Sequence, residues 1–337
     1  MSVGFYKHTR ISLVVAVLDE EASIGPFVAR IDQVFAAHPE IGLELVFVND
    51  GSSDRTLEVL IDLQKHDRRI KIVDLSRNFG KEAAMTAGID IASGAAVVPI
   101  DVDLQDPPEL IPDMIAMWQS GFEVVLARRN SRPGDSWTQR TLAGLFYKSH
   151  NLIADVKLPD DVGDFRLMDR AVVDALKQLP ESRRFMKGLF AWAGFRTTSI
   201  GYERPARAAG KSSFNRWKLW NFALEGITSF STSLLRVWTY IGLIVASCSF
   251  LYAGYIALLV LVRGVEVPGY ASLAVMIMFI GGLQLVGTGI LGEYLGRTYL
   301  ESKRRPVYLI RKVHSAQLSS REEREPLPAH ETAEAPR

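Results

Sequence analysis

Three aspartates, Asp101, Asp103 and Asp106, end an apolar run (Ala95 to Ile100) within the stretch "PIDVDLQDPPE". Carboxylates this close repel one another unless a cation or a set of hydrogen-bond donors sits among them. Hard oxygen ligands without His or Cys favour Mg2+ or Mn2+. An ion held by one or two carboxylates commonly completes its shell with substrate phosphates, so the acidic stretch points to a diphosphate ligand. An Asp-x-Asp pair is weak evidence alone, because an Asp-rich chain yields one by chance.

The elements around it make the pattern stronger. Ile11 to Val17, Glu44 to Val48, Ile70 to Leu75, Ala95 to Ile100 and Phe122 to Ala127 are short, rich in Val and Ile and mostly apolar. Such runs suit strands covered on both faces. Amphipathic stretches of helical length lie between them, at Ala22 to Ala37, Arg55 to His66 and Lys81 to Ala92. The alternation predicts an α/β fold with an open, mainly parallel sheet. Ligands of such sheets bind at the carboxyl ends of the strands, near a switch in strand order. Asp19-Glu20 follows the first strand, Asn49 to Asp54 ("NDGSSD") the second, Ser76-Arg77-Asn78 the third and Asp101-Val102-Asp103 the fourth. Asp50 to Asp54 alone also reads as a turn feeding a capped helix. Four polar strand ends gathered on one edge are harder to assign to turns.

Composition narrows the class. With 39 basic and 38 acidic residues among 337, the chain has no global basic field for nucleic acid. The one cysteine, Cys248, allows no internal disulfide. No Gly-x-Gly-x-x-Gly follows the first strand, no Cys/His set suits zinc, and no Gly-x-Ser-x-Gly elbow is present. Met1 to Arg10 is polar and does not read as a secretory signal.

The second half differs. Val237 to Val262 and Val267 to Gly292 carry no charge, and each exceeds the roughly 20 residues that cross a bilayer core. Arg263 and Glu266 lie between them. Arg216, Lys218 and Arg236 precede them, and Arg297, Lys303, Arg304, Arg305, Arg311 and Lys312 follow. The positive-inside rule predicts a two-helix transmembrane hairpin with both termini in the cytoplasm. The expected organisation is a catalytic domain over 1–210, an amphipathic juxtamembrane segment over 211–236, and the hairpin over 237–296, its helices near 237–262 and 269–293. A C-terminal segment over 297–337 follows, disordered after about 314. Trp217, Trp220, Phe222, Leu224, Ile227 and Phe230 suit the headgroup region or packing against the catalytic domain.

"VLDEE", "VNDGSSD", "RNFGKEAAMTAG", "DVDLQDPPE" and "GDFRLMDR", in this order and ahead of the two apolar runs, resemble family 2 glycosyltransferases of GT-A fold. The nearest branch is the polyprenyl-phosphate hexosyltransferases, which include bactoprenol glucosyltransferases and dolichol-phosphate mannose synthases. The likeness runs from about Ile11 to Ile310. It implies that Glu20 and Asp50 hold the nucleoside of a nucleotide-sugar donor. It implies that Asp101 and Asp103 place Mg2+ or Mn2+ on the donor diphosphate, with Gln105 beside them. Lys81 is either a positive charge near the donor or an exposed first-turn lysine. Asp164 falls where the family has an acidic residue close to the acceptor; its other reading is a turn aspartate.

The resemblance further implies a lipid-phosphate acceptor, for which Arg128, Arg140, Arg207 and Lys211 are the candidate cations. Two departures bear on contacts. Ala16, Leu18 and Asp19 replace the usual Pro, Tyr and Asn of the first motif, and Ser213 stands where a lysine is expected in Gly210 to Phe214. The implied reaction is in-line attack of lipid phosphate on the anomeric carbon with inversion, giving a polyprenyl-phosphate hexose for cell-envelope glycans. The active site would lie on the cytoplasmic face of a bacterial inner membrane.

UDP-glucose leads as donor; UDP-N-acetylhexosamine, a UDP-aminoarabinose-type sugar and GDP-mannose remain alternatives, and a homo-oligomer is compatible with the chain. A processive synthase is disfavoured because Arg216-Trp217 is preceded by Ser213 where Gln-x-x-Arg-Trp needs glutamine. A non-enzymatic membrane adaptor or flippase component would not depend on Asp101 or Asp103.

Overall fold

The computed structural model describes residues 9–130, 162–179, 181, 186–203, interrupted stretches between 238 and 262, and 269–315. Among these residues eight strands form one sheet: β1 (Arg10–Val17), β2 (Gly42–Asn49), β3 (Ile70–Leu75), β4 (Ala96–Pro99), β5 (Val124–Arg129), β6 (Val162–Asp169), β7 (Thr197–Tyr202) and β8 (Ile310–His314). Their order is β7-β5-β6-β4-β1-β2-β3-β8. β1 pairs in parallel with β2 and β4, β2 with β3, and β5 with β7, whereas β6 and β8 run antiparallel to their neighbours. The sheet is thus mixed, with a parallel centre. The chain builds outward from β1 to β3 and then crosses back to β4, so the strand order switches between β1 and β4, where a ligand crevice is expected.

Alternation along the strands feeds two apolar layers. Leu13, Val15, Leu45 and Phe47 pack toward α1 (Ile24–Phe35), α2 (Thr56–His66) and α4 (Leu110–Gln119). Val14, Val46, Val48 and Val73 pack toward α3 (Lys81–Ile91), α5 (Arg170–Lys177) and α6 (Met186–Trp192). Gly88 lets α3 lie close on the sheet, since a Cβ there would strike Val14 and crowd Val48.

At the opposite edge from the acidic strand end, Glu44 ties strands together. It accepts from Ser12 Oγ at 2.5 Å, from Ser93 N and Oγ, each at 2.8 Å, and from Lys71 Nζ at 2.9 Å. Burial pushes its carboxyl up, but these donors outweigh burial and hold it at about 2.

The last described helix, α7 (Tyr270–Ser302), is 33 residues long and leaves Leu273, Ile277, Phe279, Leu285 and Leu291 exposed. It does not stop near 293 as expected, but continues through Glu293, Arg297 and Glu301. Among the described residues no helix is long and apolar enough to cross a membrane. The expectation of a multi-pass inner-membrane protein with cytoplasmic termini is therefore corrected. The expected first span, 237–262, is only partly within the described residues, and the expected segment 211–236 lies outside them. After α7 the chain returns to the sheet as β8, a strand that the basic sequence following the helix does not announce.

Candidate active site

The strand ends converge as expected, and a lysine ammonium lies among the carboxylates. Lys81 opens α3 after Gly80, whose positive φ of 97° turns the chain into the helix. Lys81 Nζ contacts Asp101 at 2.8 Å and Asp164 at 3.1 Å. Partial burial works against its charge, but Asp101 and then Asp164 outweigh this and hold the ammonium above the ordinary lysine range. Asp101 comes from the end of β4 and Asp164 from β6, so Lys81 joins the strand end to the antiparallel strand. Asp164 is therefore on a strand and faces the site, which removes its reading as a turn aspartate. A small cavity beneath this contact is lined in part by Met85, Asp106 and Phe165.

The other predicted residues divide. Asp103 is exposed, and its carboxylate accepts from Gln105 N at 3.1 Å. Between them Leu104 adopts φ 56°, a strained backbone at the loop tip. Gln105 is buried, and among the described residues its Oε1 has no hydrogen-bond partner. Glu20 accepts from Ser23 Oγ at 2.6 Å while its N–H donates to Thr56 Oγ1 at 2.8 Å. Asp50 is buried; its two oxygens accept from Phe79 N at 2.7 Å and Gly80 N at 2.9 Å. Burial raises the Asp50 carboxyl despite those donors. Asp50 thereby fixes the turn that delivers Lys81. Arg140, Arg207 and Lys211 lie outside the described residues.

The fifth strand brings a different arginine inward from the one expected. Arg128 is exposed, whereas Arg129 turns toward the site. Arg129 Nε donates to Tyr202 Oη at 3.2 Å, and Tyr202 Oη donates to Asp106 at 2.7 Å. Asp106 is buried, and Arg129 lies 3.9 Å from it. Burial and then Asp106 push the Tyr202 hydroxyl up to about 12, so it stays a donor. Strand period identifies Arg129, because it shares a face with Val125 and Ala127, which pack beside Phe165 and Tyr202. Arg166, missed entirely, is buried on β6; it donates to Gly163 O at 2.8 Å and stacks over Phe190 at 4.0 Å. Burial lowers it to about 10.

The donor set fits a divalent ion shared with a substrate. Asp101 and Asp103 supply hard oxygens, and the Lys81 ammonium against Asp101 shows that this position favours positive charge. Among the described residues no group of three or more His, Cys, Asp or Glu is arranged to hold a metal. An ion on two carboxylates would complete its shell with phosphate oxygens and water.

The acidic strand end thus lies beside the switch point of an open, mixed α/β sheet. The family model described as "Glycosyl transferase family 2" matches residues 12–177, and the chain belongs to this family. It is 52% identical over 300 residues to an uncharacterized glycosyltransferase of Synechocystis sp., covering 89% of this chain and 94% of the relative. It is 52% identical over 305 residues to the SfII prophage-derived bactoprenol glucosyl transferase of Shigella flexneri, covering 90% and 98%. Among solved structures, glucosyl-3-phosphoglycerate synthase from Mycobacterium tuberculosis overlaps with a TM-score of 0.46 at 20% identity, covering 65% of this chain and 78% of that one.

Proposed function

We propose that this glycosyltransferase moves glucose from UDP-glucose to a polyprenyl phosphate of the bactoprenol class, with inversion. The observation that carries the reading is the Asp101–Lys81–Asp164 contact at the switch point. Its setting is a chain about half identical, along most of its length, to bactoprenol glucosyl transferases.

A phosphomonoester, with a second pKa of about 6, is mostly a dianion near neutral pH and needs orientation more than deprotonation. One phosphate oxygen forms the bond to the anomeric carbon while the bond to UDP breaks, and the electron pair leaves with UDP. A divalent ion bound at Asp101 and Asp103 would neutralise charge developing on that diphosphate. Lys81 adds a fixed positive charge beside the same position. Asp164 acts by holding Lys81 and orienting the acceptor side, and Asp50 sets the turn before Lys81.

Arg129, braced by Tyr202 and Asp106, is the arginine of β5 assigned to the acceptor phosphate, where a guanidinium fork can bind two oxygens. Arg140, Arg207 and Lys211 are the further cations proposed for that phosphate. The test is Asp103→Ala. UDP release should fall by at least about 100-fold with the melting temperature unchanged, given that metal-borne charge stabilisation is worth several kcal/mol. Full activity in that variant would refute the metal assignment.

A further inference from the structure

The returning strand β8 is joined to the site by a chain of polar contacts. It pairs antiparallel with β3, placing Lys312 opposite Asp74 and Val313 opposite Val73. Beside this pairing, Ser76 N donates to Leu309 O at 2.9 Å. Arg311 reaches across, donating to Asp74 Oδ2 at 3.2 Å and to Ser76 O at 2.7 Å. Asp74 is 2% exposed, too buried for an unsupported charge. Its second oxygen accepts from Asn49 Nδ2 at 2.8 Å, and Asn49 and Asp74 are direct neighbours in the β2–β3 register. Asn49 Oδ1 in turn accepts from Ser52 N at 3.2 Å.

Ser52 lies in the tight turn 50–54. Gly51 there has φ 73° and packs so closely on Arg77 and Asn78 that a Cβ would meet their backbone at 2.6 Å. The Ser52 hydroxyl accepts from Asp19 N at 3.1 Å, linking the turn to the loop after β1. Asn49 is thus the hinge of the series. Its amide is oriented from one side by Asp74 and presents its oxygen to the turn from the other. Without an acceptor at position 74, the amide has no fixed orientation, and Ser52 N loses its assured partner.

We propose that β8 is a strap whose Arg311, acting through Asp74 and Asn49, holds the turn 50–54 in the form that receives the donor nucleotide. Arg311 and Asp74 are then positioning residues, which touch no substrate. The inference rests on reading that turn as part of the nucleotide site. The outer link is the weaker one, because Arg311 is 57% exposed and its pair with Asp74 is partly screened. The Asp74–Asn49 contact is buried and carries most of the effect.

The test uses the full chain with Asp74→Ala, Arg311→Ala and Arg311→Lys. Hydrogen exchange of the 50–54 amides is followed without ligand, and UDP binding is measured with Mg2+. Asp74→Ala should speed exchange at Ser52 and weaken UDP about 5- to 20-fold, part of the roughly 10- to 150-fold that a buried hydrogen bond to a charged group is worth, because the loss reaches UDP only through Asn49 and the turn. Arg311→Ala should do the same to a smaller degree, Arg311→Lys should recover part of the loss, and the KM for acceptor should stay unchanged. Folded Asp74→Ala with wild-type exchange at Ser52 and wild-type UDP affinity would overturn the strap while leaving the nucleotide site standing. So would faster exchange spread evenly along β3 with UDP affinity retained. Wild-type protein that fails to bind UDP would instead overturn the nucleotide reading of the turn, and the strap's role with it.

Discussion

Arg128 and Arg129 are neighbours in sequence with opposite placements, so they test the site at the level of single side chains. Arg129 is held by Tyr202 and Asp106, and Arg128 faces outward. Arg129→Ala should raise the KM for polyprenyl phosphate by about 10- to 100-fold, the value of a charge-assisted phosphate contact. Arg128→Ala should stay within about threefold, as surface substitutions usually do. Steady-state kinetics with varied acceptor would check both, and equal losses would remove the distinction. Lys81→Met addresses the contact that joins Asp101 to Asp164. It should cut kcat by about 100-fold or more if the ammonium stabilises the departing diphosphate. The carboxylates were legible because their residue types and spacing announce their chemistry. Arg129 was legible in principle from the two-residue strand period. Asp106 was not: as a residue before a double proline it reads as a turn, and only the fold brings Tyr202 to it.

Among the elements, the five strands that the sequence predicts recur as β1 to β5 with small shifts at their ends, because runs apolar on both faces have few other folds to adopt. β6, β7 and β8 were not predicted, each for its own reason. Gly163, Asp164 and Arg166 interrupt β6 with residues that the site and the α3 face of the sheet require. "TTSIGY" in β7 is a polar edge strand, and β8 follows a basic run that reads as a flank of the apolar helix before it. The strand ends opposite the site depend on Glu44. Its carboxyl is depressed from 4.5 to about 2 in the folded protein. A depressed carboxyl adds stability that is complete above its unfolded value and is lost as pH falls through its folded value. The clamp should thus contribute about 3 kcal/mol near neutral pH, fading between about pH 4.5 and 2. Glu44→Gln should flatten that part of the stability–pH curve measured by urea unfolding; an unchanged acid slope would contradict the assignment. Gly88→Val should destabilise by about 1–3 kcal/mol by overpacking α3 against Val14 and Val48, read as a lower urea midpoint.

At the scale of the whole molecule, a mixed sheet closed at one edge by the chain's own returning strand brings the turn 50–54, Asp101, Asp103 and Arg129 toward one switch point, the groups proposed above to meet donor, metal and acceptor. Hydropathy alone suggested two membrane spans from the uncharged runs. It could not show that the second run continues as one helix through Glu293, Arg297 and Glu301 before the chain rejoins the sheet. Fold and family follow from the sheet and from relatives that share about half of the residues; the sugar does not follow from the sheet. The most direct test of the central claim is nucleoside diphosphate release by the purified full chain. It would be given Mg2+, polyprenyl phosphate and, in turn, UDP-glucose, UDP-N-acetylhexosamine and GDP-mannose. The account predicts release of UDP from UDP-glucose that requires both the lipid phosphate and Asp103. Release from none of the donors would contradict it.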